Sequence, residues 1–292
     1  MAVVAVIGGS GRMGTWFVNF LSENGYEIVI SDKKAPSRSV RKKRSKFVKN
    51  PIQAAQLSEI VLLATPTLAT RSLLNNITSH VPKTTLIVEI SSVKQPLRKT
   101  IQSLTRFGAQ ILSLHPMFGP GARSLADKSI LVAEEPPNCT PARRLLSILS
   151  EKGARIIRCT LEEHDELVAT TLALPHFLNF AFIESIRKAG LPLDRLRELG
   201  GTTFKLQLLI AEALCHESPN NEVSILLDNK YNVEAFSTFA QQIHEVRRII
   251  RRRSRVELLR RLRDDVAFVR EDRLFGRAHE RFAAAVEVSN FG

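Results

Sequence analysis

The sequence predicts an α/β protein, with an N-terminal doubly wound Rossmann-type domain and an all-helical C-terminal domain suited to dimerisation. Three observations carry this expectation. Short β-rich apolar runs alternate with helical stretches through the first 160 residues, a glycine-rich turn follows the first run, and only helical spacing continues beyond Leu161. Apolar runs separated by helices build βαβ units and a mainly parallel sheet. The expected division is therefore residues 1–160 and residues 161–292, packed directly on each other without a low-complexity linker.

The elements follow in order. Residues 3–7 form the first strand and 13–23 an amphipathic helix; strands are then expected at 26–31, 59–64, 85–90, 109–114, 130–133 and 154–158. Residues 162–188 are helical in spacing but contain Pro175, which predicts a kink or a break. Segments 193–214, 223–250 and 255–282 read as further helices. An all-helical half with large apolar faces points to a homodimer.

Composition narrows the class. The 292 residues are 44% apolar, too many for a disordered chain. No uninterrupted apolar stretch reaches the roughly 18–20 residues of a bilayer span. Residues 2–7 lack a basic flank and run into glycines, so they read as a strand rather than a leader, and the protein as cytoplasmic. Cys139, Cys159 and Cys215 match neither a disulfide framework nor a zinc site.

The net charge of +13 is concentrated in two runs, residues 38–49 and 247–263, the second with nine arginines against Glu257 alone. Val246, Ile249, Ile250, Leu258, Leu259 and Leu262 recur at helical spacing there, so the run reads as a helix with a solvated face. An anion or nucleic-acid surface and a subunit contact are the alternatives.

Gly9, Gly11 and Gly14 form G-x-G-x-x-G between the first strand and a helix, and Asp32 ends the second strand 18 residues later. That context marks a dinucleotide site, with Gly9, Ser10, Gly11, Arg12, Met13 and Gly14 around the pyrophosphate and Asp32 on the adenosine ribose. A tight turn with no ligand, and Asp32 as a strand-end turn residue, are the bland alternatives. Asp32 favours NAD, while Lys33 and Lys34 keep NADP open.

His115 closes a strand and enters the stiff turn Pro116-Met117-Phe118-Gly119-Pro120. Ser91, Ser92 and Lys94 close the preceding strand at the same sheet edge, where open α/β sheets bind ligands. A histidine beside a hydroxyl is suited to take a proton from a substrate alcohol as its hydride leaves. A structural histidine and turn-forming serines fit the same residues.

These motifs resemble the prephenate dehydrogenases of tyrosine biosynthesis, within the cyclohexadienyl and arogenate dehydrogenase group. The resemblance rests on G-G-S-G-R-M-G, E-I-S-S-V-K, L-H-P-M-F-G-P, G-A-R-I-I-R-C-T-L-E-E-H-D and A-L-P-H-F, in order from about residue 3 to 180. It implies NAD(P)-linked oxidative decarboxylation of prephenate to 4-hydroxyphenylpyruvate, His115 accepting the 4-hydroxyl proton and Ser92 orienting both. It also implies cofactor contacts at Thr65 and Pro66 and a substrate-pocket role for His176, which a kink-site bond beside Pro175 explains equally well. His164 reads as a helix-start residue serving structure.

The family holds a substrate carboxylate with an arginine on a C-terminal helix. Leu209 and Ala213 stand at those positions here, leaving Lys205 as the nearest cation and Arg197 or a partner subunit's arginine as substitutes. This departure opens two alternatives: arogenate as substrate, or a non-catalytic cofactor-sensing or nucleic-acid-associated Rossmann protein. The intact glycine turn, Ser92 and His115 argue against the second alternative, and against nucleic acid as a partner.

Overall fold

The computed structural model describes residues 2–37 and 45–289. Eight strands form one sheet: β1 (Val3–Ile7), β2 (Glu27–Ser31), β3 (Ser45–Phe47), β4 (Ile60–Leu63), β5 (Leu86–Glu89), β6 (Gln110–Pro116), β7 (Ser129–Glu134) and β8 (Arg155–Arg158). Their order is β3-β2-β1-β4-β5-β6-β7-β8. The first six strands are parallel in the doubly wound order, and β7 is antiparallel to β6.

Both faces of this sheet are apolar, because its strands carry β-branched and aliphatic residues at odd and even positions alike. Val4, Val6, Ile28 and Leu62 pack with Phe17, Val18 and Leu21 of helix α1 (Arg12–Glu23). Ala5, Val29, Val61 and Ile87 face the other way, against Leu74 and Ile77 of α3 (Thr67–Thr78) and Leu97 and Ile101 of α4 (Gln95–Arg106). Each such fully buried side chain contributes about 1.5–3 kcal/mol of transfer free energy. Helices α2 (Pro51–Gln56) and α5 (Thr140–Glu151) complete the layers.

Beyond β8 the chain is helical: α6 (Leu161–Val168), α7 (Leu174–Ala189), α8 (Leu193–Leu199), α9 (Thr202–Cys215), α10 (Pro219–Leu227), α11 (Asn232–Arg251), α12 (Arg255–Arg270) and α13 (Ala278–Ser289). The chain divides into one compact unit of Met1–Val168 with Val223–Lys230 and a second of Ala169–Glu222 with Tyr231–Gly292. In the second unit Phe177 stacks on Phe236, their ring centroids 4.3 Å apart, and Leu208, Ala211 and Ile249 are buried. Phe180, Leu199, Val233, Val256 and Phe268 remain exposed.

The structure corrects several expectations. A third strand, β3, lies inside the basic run 38–49, whose residues 38–44 fall outside the described ones. The α-helical pattern is interrupted just before Pro175, by a π-helical turn, Ala169–Ala173, that separates α6 from α7 and leaves the proline as the second residue of α7. Segment 193–214 is two helices, interrupted at Gly200-Gly201. The run 247–263 is not one helix either. It divides between α11 and α12 at Arg253, which adopts a left-handed backbone with φ 52°. Although no uninterrupted apolar run is that long, the helical stretch Leu161–Ala189 is long and apolar enough to cross a membrane by length and composition.

Candidate active site

The parallel order brings the C-terminal ends of β1, β4, β5 and β6 to one edge. Gly8 follows β1 with φ +80°, and its N–H donates to the Ser31 carbonyl at 2.8 Å. A Cβ on Gly8 would stand 2.3 Å from the Ala64 carbonyl oxygen, and one on Gly14 would stand 2.0 Å from the Gly8 oxygen. Only glycine permits this packing of turn, helix and strand. Gly11 caps α1 without any side-chain cap, and no acidic residue stands in the first turn, so the helix supplies no carboxylate of its own to its positive end.

Asp32 reaches the same turn: its Oδ2 accepts the Ser10 N–H at 3.0 Å, and its Oδ1 accepts the Lys33 N–H at 2.7 Å. Ser10 Oγ donates to the Lys34 carbonyl at 3.0 Å. Thr65, at the end of β4, has its Cγ2 only 3.0 Å from where a Gly8 Cβ would lie. Its hydroxyl bonds the Thr70 hydroxyl at 2.8 Å, and Pro66 caps α3. The turn, Asp32 and the Thr65-Pro66 corner therefore converge beside β1 and β4, where the sheet order switches. A turn kept close by its glycines, leading into the N-terminus of α1 and rimmed by a carboxylate, fits a dinucleotide.

His115 is the penultimate residue of β6, paired with Leu131 of β7, rather than part of the following turn. Trp16 secures that turn: its indole N–H donates to the Ala122 carbonyl at 2.8 Å and its ring packs on Phe118. Nδ1 of His115 lies 2.9 Å from Nε2 of His164, and Nδ1 of His164 lies 2.8 Å from Asp165 Oδ1. The Lys94 N–H donates to that same Oδ1 at 2.8 Å, and Asn229 Nδ2 donates to the Asp165 carbonyl at 2.6 Å. Since a carboxylate only accepts, His164 carries its proton on Nδ1 and accepts at Nε2. His115 therefore donates from Nδ1, and its Nε2 keeps the lone pair.

Beneath these rings lies a buried ion pair. Lys94 Nζ meets Glu89 Oε1 at 2.7 Å and donates to the Leu114 carbonyl at 2.7 Å, with both charged side chains fully shielded from solvent. Glu89 also accepts the Ser113 hydroxyl, and the Ser91 N–H at 2.8 Å. Burial pushes the Lys94 ammonium below its ordinary value, opposed by the Glu89 charge. Burial holds His115 well below 6.5, and His164 and Lys94 push it the same way; burial likewise lowers His164. Both imidazoles are thus neutral at pH 7.

His164 stands at the start of α6, as the sequence suggests, and its bond to His115 is what the sequence does not show. The one local signal is a capping box. Thr160 N–H donates to Glu163 Oε2 at 2.7 Å and Glu163 N–H to Thr160 Oγ1 at 3.1 Å, which fixes the start of α6 and the direction of His164. Ser92 is half-buried just beyond β5, but the hydrogen bond of His115 runs to His164, not to Ser92. The Ser91 hydroxyl is buried and has no partner among the described residues.

In the second unit, His176 Nδ1 pairs with Glu222 Oε2 at 2.6 Å, so its bond is not to a backbone carbonyl freed by Pro175. Lys205 stands half-buried on α9, without an ion-pair partner among the described residues. Arg197 is occupied by Glu212. Leu209 and Ala213 share α9 with Lys205.

Two family profiles match in tandem: "Prephenate dehydrogenase, nucleotide-binding domain" over residues 18–158, and "Prephenate dehydrogenase, dimerization domain" over residues 160–264. The chain belongs to the prephenate dehydrogenase family. Its glycine turn lies ahead of the first matched span and is supported by its own geometry. A probable arogenate/prephenate dehydrogenase of Methanocaldococcus jannaschii is 24% identical over 86% of this chain and 57% of its own length. The T-protein of Enterobacter agglomerans is 27% identical over 83% of this chain and 61% of its own. The chain thus spans about three fifths of the length of these curated relatives. A prephenate dehydrogenase from A. aeolicus, solved with hydroxyphenyl propionate and NAD+, shares the fold with a TM-score of 0.73. That match covers 93% of this chain and 99% of the other at 19% identity.

Proposed function

We propose that this member of the prephenate dehydrogenase family oxidises prephenate to 4-hydroxyphenylpyruvate and CO2 with NAD(P), in tyrosine biosynthesis. The observation carrying the proposal is the buried chain His115–His164–Asp165 at the end of β6, which leaves a neutral imidazole with its lone pair on Nε2.

When bound, the nicotinamide supplies the hydride acceptor. Gly9, Ser10, Gly11, Arg12, Met13, Gly14, Asp32, Thr65, Pro66 and Ser91 are the residues proposed to hold the cofactor. Asp32, already accepting the Ser10 N–H, favours NAD because a carboxylate at the ribose repels a 2′-phosphate.

His115 Nε2 takes the proton of the ring hydroxyl, and the new imidazolium is stabilised through His164 by the Asp165 carboxylate. Ser92 orients the hydroxyl. Loss of the ring carboxylate then makes the ring aromatic, which supplies much of the driving force. Lys205, which has no ion-pair partner among the described residues, is the cation proposed for the second carboxylate, and His176 is proposed to share that role. A lysine offers one point charge where an arginine would offer a fork, and that favours arogenate as the second reading.

The exposed apolar residues of the second unit, within a span matching a dimerisation domain, support a homodimer in which a partner covers them. The same coverage would account for the apolar stretch Leu161–Ala189 without a membrane, in keeping with the reading of a cytoplasmic enzyme. Steady-state formation of reduced cofactor from prephenate and from arogenate, each with NAD and NADP, tests the reading. Turnover of neither substrate overturns it; turnover of arogenate alone selects the second.

A further inference from the structure

The last two turns of α11 gather His244, Arg247, Arg248, Arg251 and Arg252 around a cavity of about 360 Å³, with no carboxylate or apolar side chain in its lining. Their spacing places them on one helical face, while Ile249 is buried on another. One guanidinium is fixed: Arg248 bonds Glu245 at 2.8 Å and Glu257, on α12, at 3.2 Å. His244, Arg247, Arg251 and Arg252 form no ion pair among the described residues. The left-handed Arg253 stops the helix at once and turns the chain into α12, whose Arg261 bonds Gln242 of α11.

Basic residues in a last helical turn complement the dipole, but that effect falls off within one turn and does not require a concave cluster. Guanidinium forks match phosphate oxygens bidentately, and several converging on one concavity outmatch what a single carboxylate needs. The cavity volume falls within the range of small-ligand sites, about 300–1,000 Å³. No phenylalanine, tyrosine or tryptophan lines it, so the large stacking surfaces used by single-stranded nucleic acids are missing.

We infer that this cluster is a binding site for a small polyphosphate-bearing anion, in the unit that does not hold the glycine turn. The inference is independent of the proposed dehydrogenase reaction.

The test is calorimetric titration of the full chain with sodium tripolyphosphate at constant ionic strength, with and without saturating NAD. We expect saturable binding that NAD does not displace. It should weaken about tenfold or more in Arg247→Ala/Arg251→Ala, and by less in the double lysine variant. An unchanged melting temperature in the alanine variant confirms that it folds. Absence of saturable binding, equal affinity in parent and alanine variant, or displacement by NAD would each overturn the inference. So would tighter, steeply salt-dependent binding of a DNA duplex through the same arginines, which would assign the surface to nucleic acid.

Discussion

Nε2 of His164 accepts a hydrogen bond from Nδ1 of His115 at 2.9 Å, although the two residues are 49 positions apart in the chain. The bond fixes the His115 tautomer, and with it the atom that can act as a base. Replacing His164 with Leu removes the acceptor and should lower kcat by roughly tenfold or more, with substrate KM nearly unchanged. His164→Asn, whose amide oxygen can accept, should recover part of the loss. Equal kcat in all three proteins would show that His164 only fills space.

The pH profile follows from burial. His115 is held well below 6.5, first by desolvation and then by the charges of His164 and Lys94. It therefore remains a competent base in mildly acidic solution, and the acid limb of kcat/KM should centre below pH 6.5. A limb above pH 7 would contradict this. Stability moves with the same groups. The unfolded histidines bind protons near pH 6.5 and the folded ones only at lower pH, so stability is complete above that value and declines as pH falls below it.

Lys94→Met strands the Glu89 carboxylate in the interior. Breaking one side of such a pair costs about 3–5 kcal/mol. Denaturant unfolding should show a loss of that order, and adding Glu89→Gln should restore part of it. An unchanged unfolding midpoint in the single variant would mean that the pair is already reached by water.

Lys205→Ala should raise substrate KM by about tenfold while changing kcat far less, if the ammonium holds a carboxylate equally in ground and transition states. An unchanged KM would exclude Lys205 from substrate binding.

Much of this architecture was legible in the sequence because parallel strands covered on both faces read as unbroken apolar runs, as β1, β4 and β5 do. The three-residue β3 was not, since Ser45-Lys46-Phe47 offers one apolar side chain inside a cationic run. The π-turn at Ala169–Ala173 was invisible because shifting a helical hydrogen bond by one residue leaves composition and spacing almost untouched. Lys94 reads as a residue of the ligand-binding sheet edge; only the convergence of Glu89 and the Leu114 carbonyl reveals it as interior. His115 could be picked out by its strand-end position and stiff turn. Its partner His164 could not, because the pairing exists only once β6 and the start of α6 are brought together.

The central claim, that His115 is the proton acceptor, is tested most directly by comparing parent and His115→Asn in steady-state turnover, with cofactor affinity measured alongside. The account predicts that kcat falls by about 10²–10⁴ while the cofactor Kd hardly moves. A variant that turns over at a rate comparable to the parent would contradict it.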